Sequence, residues 1–370
     1  MFMKAAYITR TGPPDVIIYG DLPSPRPGPM KCLVKVAAAD MNPIDTYVRG
    51  GMVPAKLSFP HILGRSLAGT VIEAGARVKQ FKTGDRVWAT NQGSEGRQGT
   101  FAEFAAVDEC WLYHIPANVS HEDAAALSLV AMTAHVGLFR HAKLKAGEML
   151  FVNGGTGGVG SAVVQIAKIA GARVITTAGS DEKVSICRQL GADLALNYKT
   201  QDVVAQIKSF APEGVNVWWE TLREPDFERT IPLLARRGRM LVMAGRDARP
   251  VFPVGPFYTR DCSLFGFALF NSSADEQRAA ANDINRWMAE GNLRARIDRV
   301  LPLSEAATAH RLQEESTIHK SGFAGWKNRA QALTRGRSRR PGLWRVAEII
   351  PTLVECGSPQ PPHAGWVEAS

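Results

Sequence analysis

The chain has 370 residues, 45% of them hydrophobic and 21% charged, which suits two globular domains rather than one small core. The segment from Met1 to Tyr7 lacks the apolar core of a secretory signal, and no apolar run reaches the roughly 18–20 residues of a membrane helix, so a cytoplasmic protein without a membrane partner is expected. The net charge is +9, but residues 323–370 carry +4 of it, and the mildly basic remainder suits an enzyme with anionic ligands better than a nucleic-acid partner.

Residues 1–122 predict a β-rich domain of short strands, among them Lys31–Ala38, Gly69–Ala74 and Arg86–Ala89, punctuated by Pro23, Pro25, Pro27, Gly28 and Gly84-Asp85. The texture then changes. Ser120 is a capping residue followed by acids and good helix formers, and it starts a helix. Over 123–295, apolar strands alternate with helices. The strands are Met149–Asn153, Arg173–Thr177, Val215–Trp219, Arg239–Ala244 and Leu264–Ala268, and the helices are Val159–Ala170, Glu182–Leu190 and Phe227–Ala235. That alternation predicts an α/β unit with a mostly parallel sheet covered on both faces. Residues 296–322 are expected to return to the first domain, leaving 323–370 as a basic, disordered tail. The five cysteines (Cys32, Cys110, Cys187, Cys262, Cys356) are scattered, which argues against a disulfide framework or a Cys-rich zinc knot.

The most specific motif is Gly155-x-Gly157-x-x-Gly160, which follows the strand Met149–Asn153 directly. Behind it Val159, Ala162, Val163, Ile166 and Ala170 fall on one helix face. Glycines there permit a tight turn and close backbone approach to a pyrophosphate, and the free amides of the helix N-terminus point at that anion. The choice between NAD and NADP is made at the end of the next strand. Asp181 lies at a spacing that would allow a ribose contact, yet the strand is expected to end by Thr177, which puts Ala178 in the discriminating place. Ser180 and Lys183 could then hold a 2′-phosphate, or serve only as an N-cap and a solvated cation. NADPH is the expected cofactor.

These residues resemble the medium-chain dehydrogenase/reductase superfamily, in particular its zinc-free quinone oxidoreductase (zeta-crystallin-like) branch, over about residues 3–322. The resemblance is carried by Met41–Tyr47, Leu63-Gly64, Gly69–Val71, Gly84–Val87, Gly99–Phe104, Thr133-Ala134, Gly158-Val159-Gly160, Lys183 and Asn197-Tyr198. It implies a GroES-like catalytic domain, a Rossmann domain, a nicotinamide in the cleft between them and a homodimer. It also implies that Thr133 lies near the nicotinamide and that Ser180, Lys183 and Tyr198 embrace the 2′-phosphate and its ribose. Gly245 and Phe267 would sit at strand ends beside the cofactor, although Phe267 could equally be sheet core.

A zinc enzyme of the same superfamily would need three protein ligands. By resemblance, a Cys is missing near Met41-Asn42, Arg65-Ser66 stands where a His-Glu pair would be, and no Cys occurs around Val130–Thr133. Without a Lewis acid a quinone or enone is a better hydride acceptor than an alcohol is a donor. Asn42 and Tyr47 are the candidate catalytic residues, to polarise the substrate oxygen and to donate a hydrogen bond or proton. The plainer alternatives are that Asn42 caps a turn and Tyr47 packs. Three departures stand out: Arg65-Ser66 replaces a small-plus-acidic pair, Trp218-Trp219-Glu220 is bulky enough to narrow the cofactor cleft, and the tail has no counterpart. Alternative functions are a 2-enoyl thioester reductase, or a non-catalytic NADPH- or nucleic-acid-binding protein.

Overall fold

The computed structural model describes residues 1–53 and 56–315, together with the backbone of the strand Gly322–Ala324. The N-terminal part comprises strands β1 (Phe2–Ile8), β2 (Ile18–Pro23) and β3 (Lys31–Ala39), helix α1 (Pro43–Arg49), and strands β4 (His61–Ile62), β5 (Leu67–Ala74), β6 (Arg86–Ala89), β7 (Phe104–Asp108) and β8 (Leu112–His114). Five of these strands form an antiparallel sheet in the order β7-β3-β5-β6-β8, and β1 joins β2 and β4 in a second sheet. Along β3, Cys32, Val34 and Val36 are buried at alternate positions, the period-two pattern of a strand with one face on a core.

Helix α2 (His121–His135) follows, its N-cap Ser120 accepting a hydrogen bond from the Asp123 amide. Every residue from Ala124 to Ala134 is buried. A helix apolar on all sides must be covered on all sides. It packs on β3, β5 and β6 and on two helices of the second part, α3 (Gly158–Ile169) and α8 (Ala274–Ala289).

The second part is one parallel sheet of β9 (Met149–Val152), β10 (Arg173–Ala178), β11 (Leu194–Asn197), β12 (Val215–Glu220), β13 (Leu234–Val242) and β14 (Ser263–Gly266). Its order is β11-β10-β9-β12-β13-β14, with α4 (Asp181–Gln189), α5 (Val203–Phe210), α6 (Phe227–Thr230) and α7 (Val254–Tyr258) also in the crossovers. This is the 3-2-1-4-5-6 order of a doubly wound sheet, whose ligand crevice opens where the order reverses, here between β9 and β12. All four β9 residues are buried, as expected of a strand covered on both faces.

The sequence-based expectation fails at one element. The helix expected over Phe227–Ala235 stops at Thr230. A 3-10 turn at Ile231–Leu233 follows, and the strand then begins at Leu234 rather than Arg239. Pro232 has no N–H to continue the helical ladder, and Leu234 pairs instead with Val215. The chain then packs against the N-terminal part again. Helix α9 (Ala306–Glu314) packs on α1, with ion pairs from Arg49 to Glu314 and from Arg311 to Asp15. Strand β15 (Val300–Pro302) pairs in parallel with β16 (Gly322–Ala324). The backbone of Phe323 and Ala324 is therefore strand, which corrects the expected start of the tail at 323. Residues 325–370, with Cys356 and the expected disorder, lie outside the described residues. Among the described residues no helix is long and apolar enough to cross a membrane.

Gly155 illustrates how tightly the crevice is built. A Cβ there would lie 2.3 Å from Thr176 Oγ1, 2.9 Å from Thr176 Cγ2 and 3.0 Å from Cys187 Sγ. Gly155→Ala is expected to destabilise the fold by roughly 1–3 kcal/mol, the usual cost of overpacking, measured as a lower midpoint in urea unfolding.

Candidate active site

A cavity of about 670 Å³ opens at the C-terminal ends of β9, β12, β13 and β14 and is closed on its far side by α1 and α2. Asn42, Tyr47, Thr133, Gly157, Gly158, Val159, Gly160, Gly245 and Phe267 all line it. Residues up to 225 positions apart in sequence thus line one cavity, but two expected groups stand elsewhere. Gly155 faces Thr176 and does not line the cavity. Ser180, Lys183 and Tyr198 gather separately at the ends of β10 and β11.

The glycine turn presents bare backbone. A Cβ on Gly160 would lie 2.2 Å from Gly154 O, so only glycine lets α3 start so close to β9. No side chain caps α3, which begins at Gly158 after the N-cap Gly157, so its first-turn amides remain available to an anion. Gly245 has φ 77°, and a Cβ there would meet Arg223 O at 2.4 Å. Thr133 donates its hydroxyl to Leu129 O at 2.7 Å, so its oxygen can only accept from a ligand. Phe267 lines the cavity while stacking on His141 (4.8 Å) and meeting Trp219 edge-on (5.9 Å).

Around Ser180 the sequence reading was incomplete. Ser180 does cap α4, accepting from the Lys183 amide at 3.3 Å. Tyr198 folds over Gly179, where a Cβ would lie 2.6 Å from the phenol oxygen. Burial pushes the Lys183 ammonium below its usual range, and the nearby charges of Lys199 and Arg296 push the same way. Arg296 is tied to the glycine turn by a hydrogen bond to Thr156 O at 3.1 Å. Lys199 and Arg296 were missed because neither belongs to a motif, and Arg296 arrives from a loop 140 positions beyond Thr156. Asp181, the acid whose spacing was ambiguous, accepts from Asn197 Nδ2 at 2.8 Å.

The substrate end is built by α1. Pro43 occupies the first helical turn and Asp45 Oδ2 accepts the Asn42 backbone N–H at 2.8 Å, so Asn42 is indeed an N-cap. Its side chain goes elsewhere: Nδ2 donates to Asp40 Oδ2 at 2.8 Å. Tyr47 lies beneath the Arg223 guanidinium, 5.6 Å from its ring centre. Arg65 lies buried behind this wall. Its Nε is 3.9 Å from Asp45 Oδ1, Nη1 donates to Gln92 O at 3.1 Å, and the guanidinium faces the Phe270 ring. The tryptophan pair does not narrow the cavity either. Trp218 stacks on Phe151 at 3.9 Å, and Trp219 is fully buried against Gly137 and Phe267, so their bulk is absorbed in the two cores. Among the described residues no three His, Cys, Asp or Glu side chains come together as a metal-binding group.

Burial raises the Asp40 carboxyl to about 8 and the Asp45 carboxyl to about 7, the latter against the attraction of Arg65. Burial and Arg65 lower His61 to about 4, and burial and Arg49 lower His310 well below its usual value.

Comparison with known proteins follows the same lines. Residues 28–117 match the family model described as "Alcohol dehydrogenase GroES-like domain", and residues 158–285 match that described as "Zinc-binding dehydrogenase". A quinone oxidoreductase of Sus scrofa is 33% identical over 325 residues, covering 87% of this chain and 96% of the relative. Among solved structures, an NAD-dependent alcohol dehydrogenase aligns with a TM-score of 0.78 at 32% identity, covering 87% of this chain and 98% of that one. A mycobacterial protein complexed with NADPH aligns with a TM-score of 0.76 at 28% identity, covering 87% and 99%.

The buried carboxyls carry a stability signature. As pH rises from about 6.5 to 8, Asp45 and then Asp40 give up protons in the folded chain that both have already released in the unfolded one. The folded state binds more protons there, so its stability falls as pH rises, by at most about 1.4 kcal/mol per pH unit per group. The depressed histidines act in the opposite sense and only below about pH 6.5. Urea unfolding is expected to show this decline between pH 6.5 and 8, with a shallower slope in Asp40→Asn.

Proposed function

The chain belongs to the quinone oxidoreductase branch of the medium-chain dehydrogenase/reductase superfamily, and we propose that it reduces quinones or α,β-unsaturated carbonyl compounds by hydride transfer from NADPH without a resident metal. The observation that carries this reading is the single cavity on which the glycine turn, Thr133 and Phe267 meet Asn42 and Tyr47.

The residues present fit a dinucleotide. The bare turn at Gly157–Gly160 and the uncapped start of α3 suit a pyrophosphate. Lys183, Lys199 and Arg296 bring positive charge to the end of β10, offset in part by Glu182 and Asp298, and would be the groups that hold a 2′-phosphate. Asp181 is occupied by Asn197, which weighs against its use as an acceptor for a free ribose 2′-hydroxyl. When bound, the nicotinamide supplies the hydride. Thr133 Oγ1 would accept an amide N–H of the nicotinamide, Phe267 would line its pocket, and Asn42 and Tyr47 would supply the donors for the oxygen that gains charge.

The proposal of metal independence rests on the donor set. Arg65, a buried cation, stands where the resemblance puts a ligand pair, and Asn42 stands beside the expected cysteine position. A thioester reductase reading gains nothing from the cavity rim, where Arg223 and Arg246 are offset by Glu224 and Asp247. We further propose a cytoplasmic homodimer joined along β14, with domains spanning 1–122 (completed by 296–324) and 123–295. Strand β14 is an edge strand, and Leu264, Val254 and Tyr258 beside it are exposed.

Fluorescence titration with NADPH and NADH tests the cofactor. Replacing Lys183 or Arg296 by Ala is expected to weaken NADPH by roughly 10- to 100-fold, the loss of one charge-assisted contact, while leaving NADH within about threefold. Equal losses for both nucleotides would overturn the NADP assignment. With a quinone acceptor, Asn42→Ala is expected to lower kcat about 100-fold, and turnover should survive a chelator.

A further inference from the structure

Asp40 follows β3 directly and is fully buried behind the cavity wall, with no role in the site as described so far. Its Oδ2 accepts from Asn42 Nδ2 at 2.8 Å. The other ends of both groups are idle, since Asp40 Oδ1 and Asn42 Oδ1 are buried and take no hydrogen bond. Asp45 Oδ1 and Ser66 Oγ, in the same cluster, are likewise without a hydrogen-bond partner. An ionised carboxylate only accepts, and the side-chain donors near Asp40 are the Asn42 amide and the Ser66 hydroxyl.

The one cation in the cluster does not relieve Asp40. Arg65 is directed at Asp45, on α1, and gives a hydrogen bond to Gln92 O. The groups facing Asp40 are Asn42 and Asp45 from α1 and Ser66 from the segment before β5. Burial is the largest influence on Asp40 and raises its carboxyl to about 8; Asp45 adds to the rise, and Asn42 and Ser66 oppose it.

Two hydrogen-bonding arrangements are open to the pair. With Asp40 ionised, Asn42 gives Nδ2 to the carboxylate, and the carbonyl oxygen is its unengaged end. With Asp40 neutral, the acid O–H can donate to Asn42 Oδ1; the amide turns over, and both its N–H groups are released. Only the second arrangement offers the amide group as a full donor to a substrate oxygen. We infer that Asp40 is a positioning residue whose proton orients the Asn42 amide, so that the donor-presenting form of the site exists only while Asp40 is neutral. This rests on the reading that Asn42 donates to the substrate oxygen.

The test compares wild type with Asp40→Asn, which cannot ionise. At saturating NADPH, wild-type kcat/KM for a quinone is expected to fall above about pH 8, approaching about tenfold per pH unit. In Asp40→Asn that falling limb should be absent. A variant profile that keeps the wild-type limb would overturn the inference. A second readout does not depend on turnover. In protein labelled with 15N-asparagine, the Asn42 side-chain amide is assigned by its loss in Asn42→Ala. It should shift with pH near the same midpoint in wild type and stay constant in Asp40→Asn. An amide signal that does not move in wild type overturns the inference even if no quinone is reduced, whereas a moving amide without quinone reduction upholds it and removes only the assigned reaction.

Discussion

The close approach of α3 to β9 is the constraint on which the rest of the crevice depends. Gly160 sits against Gly154 O at a distance no side chain tolerates, and Gly155 sits equally close to Thr176. Those two contacts bring the helix N-terminus to the point where the strand order reverses. Everything that lines the cavity from the second part is placed relative to that turn. Gly245 and Phe267 reach it from β13 and β14, and Arg296 is moored to it through Thr156 O.

The opposite wall is organised by a different kind of interaction. Helix α1 is short, and its start is held by buried charge rather than by apolar packing alone. Asp45 serves at once as the return half of the Asn42 cap and as the partner of Arg65. A buried ion pair contributes little net stability, because desolvation consumes most of its attraction. Its value here is directional: it holds Asn42 at the cavity wall with its side chain turned to Asp40. The two walls meet through α2, which is buried between the sheets along most of its length, and through Arg223 over Tyr47.

Several site residues were legible before any fold was known, and each for a local reason. The glycine spacing between an apolar strand and an amphipathic helix specifies its own backbone geometry. Ser180 was readable as a cap because capping is a three-residue event. The helix expected over Phe227–Ala235 failed for an equally local reason that was overlooked, the missing N–H of Pro232. By contrast, nothing near Arg65 in sequence shows that it turns inward to Asp45, 20 positions away. Trp218 and Trp219 read as obstacles until the sheet placed one on each face, where Phe151 and Gly137 make room.

The amino-acid sequence by itself therefore determined the α/β class, the dinucleotide turn and the family to which the chain belongs, because each rests on short-range periodicity or on fixed motif spacing. Only the tertiary structure decided which charges share a pocket. Lys199 and Arg296 join Lys183, and Asp40 meets Asn42 with both side chains buried. Electrostatics in a protein depend on through-space distance and on burial, and neither is encoded in separation along the chain.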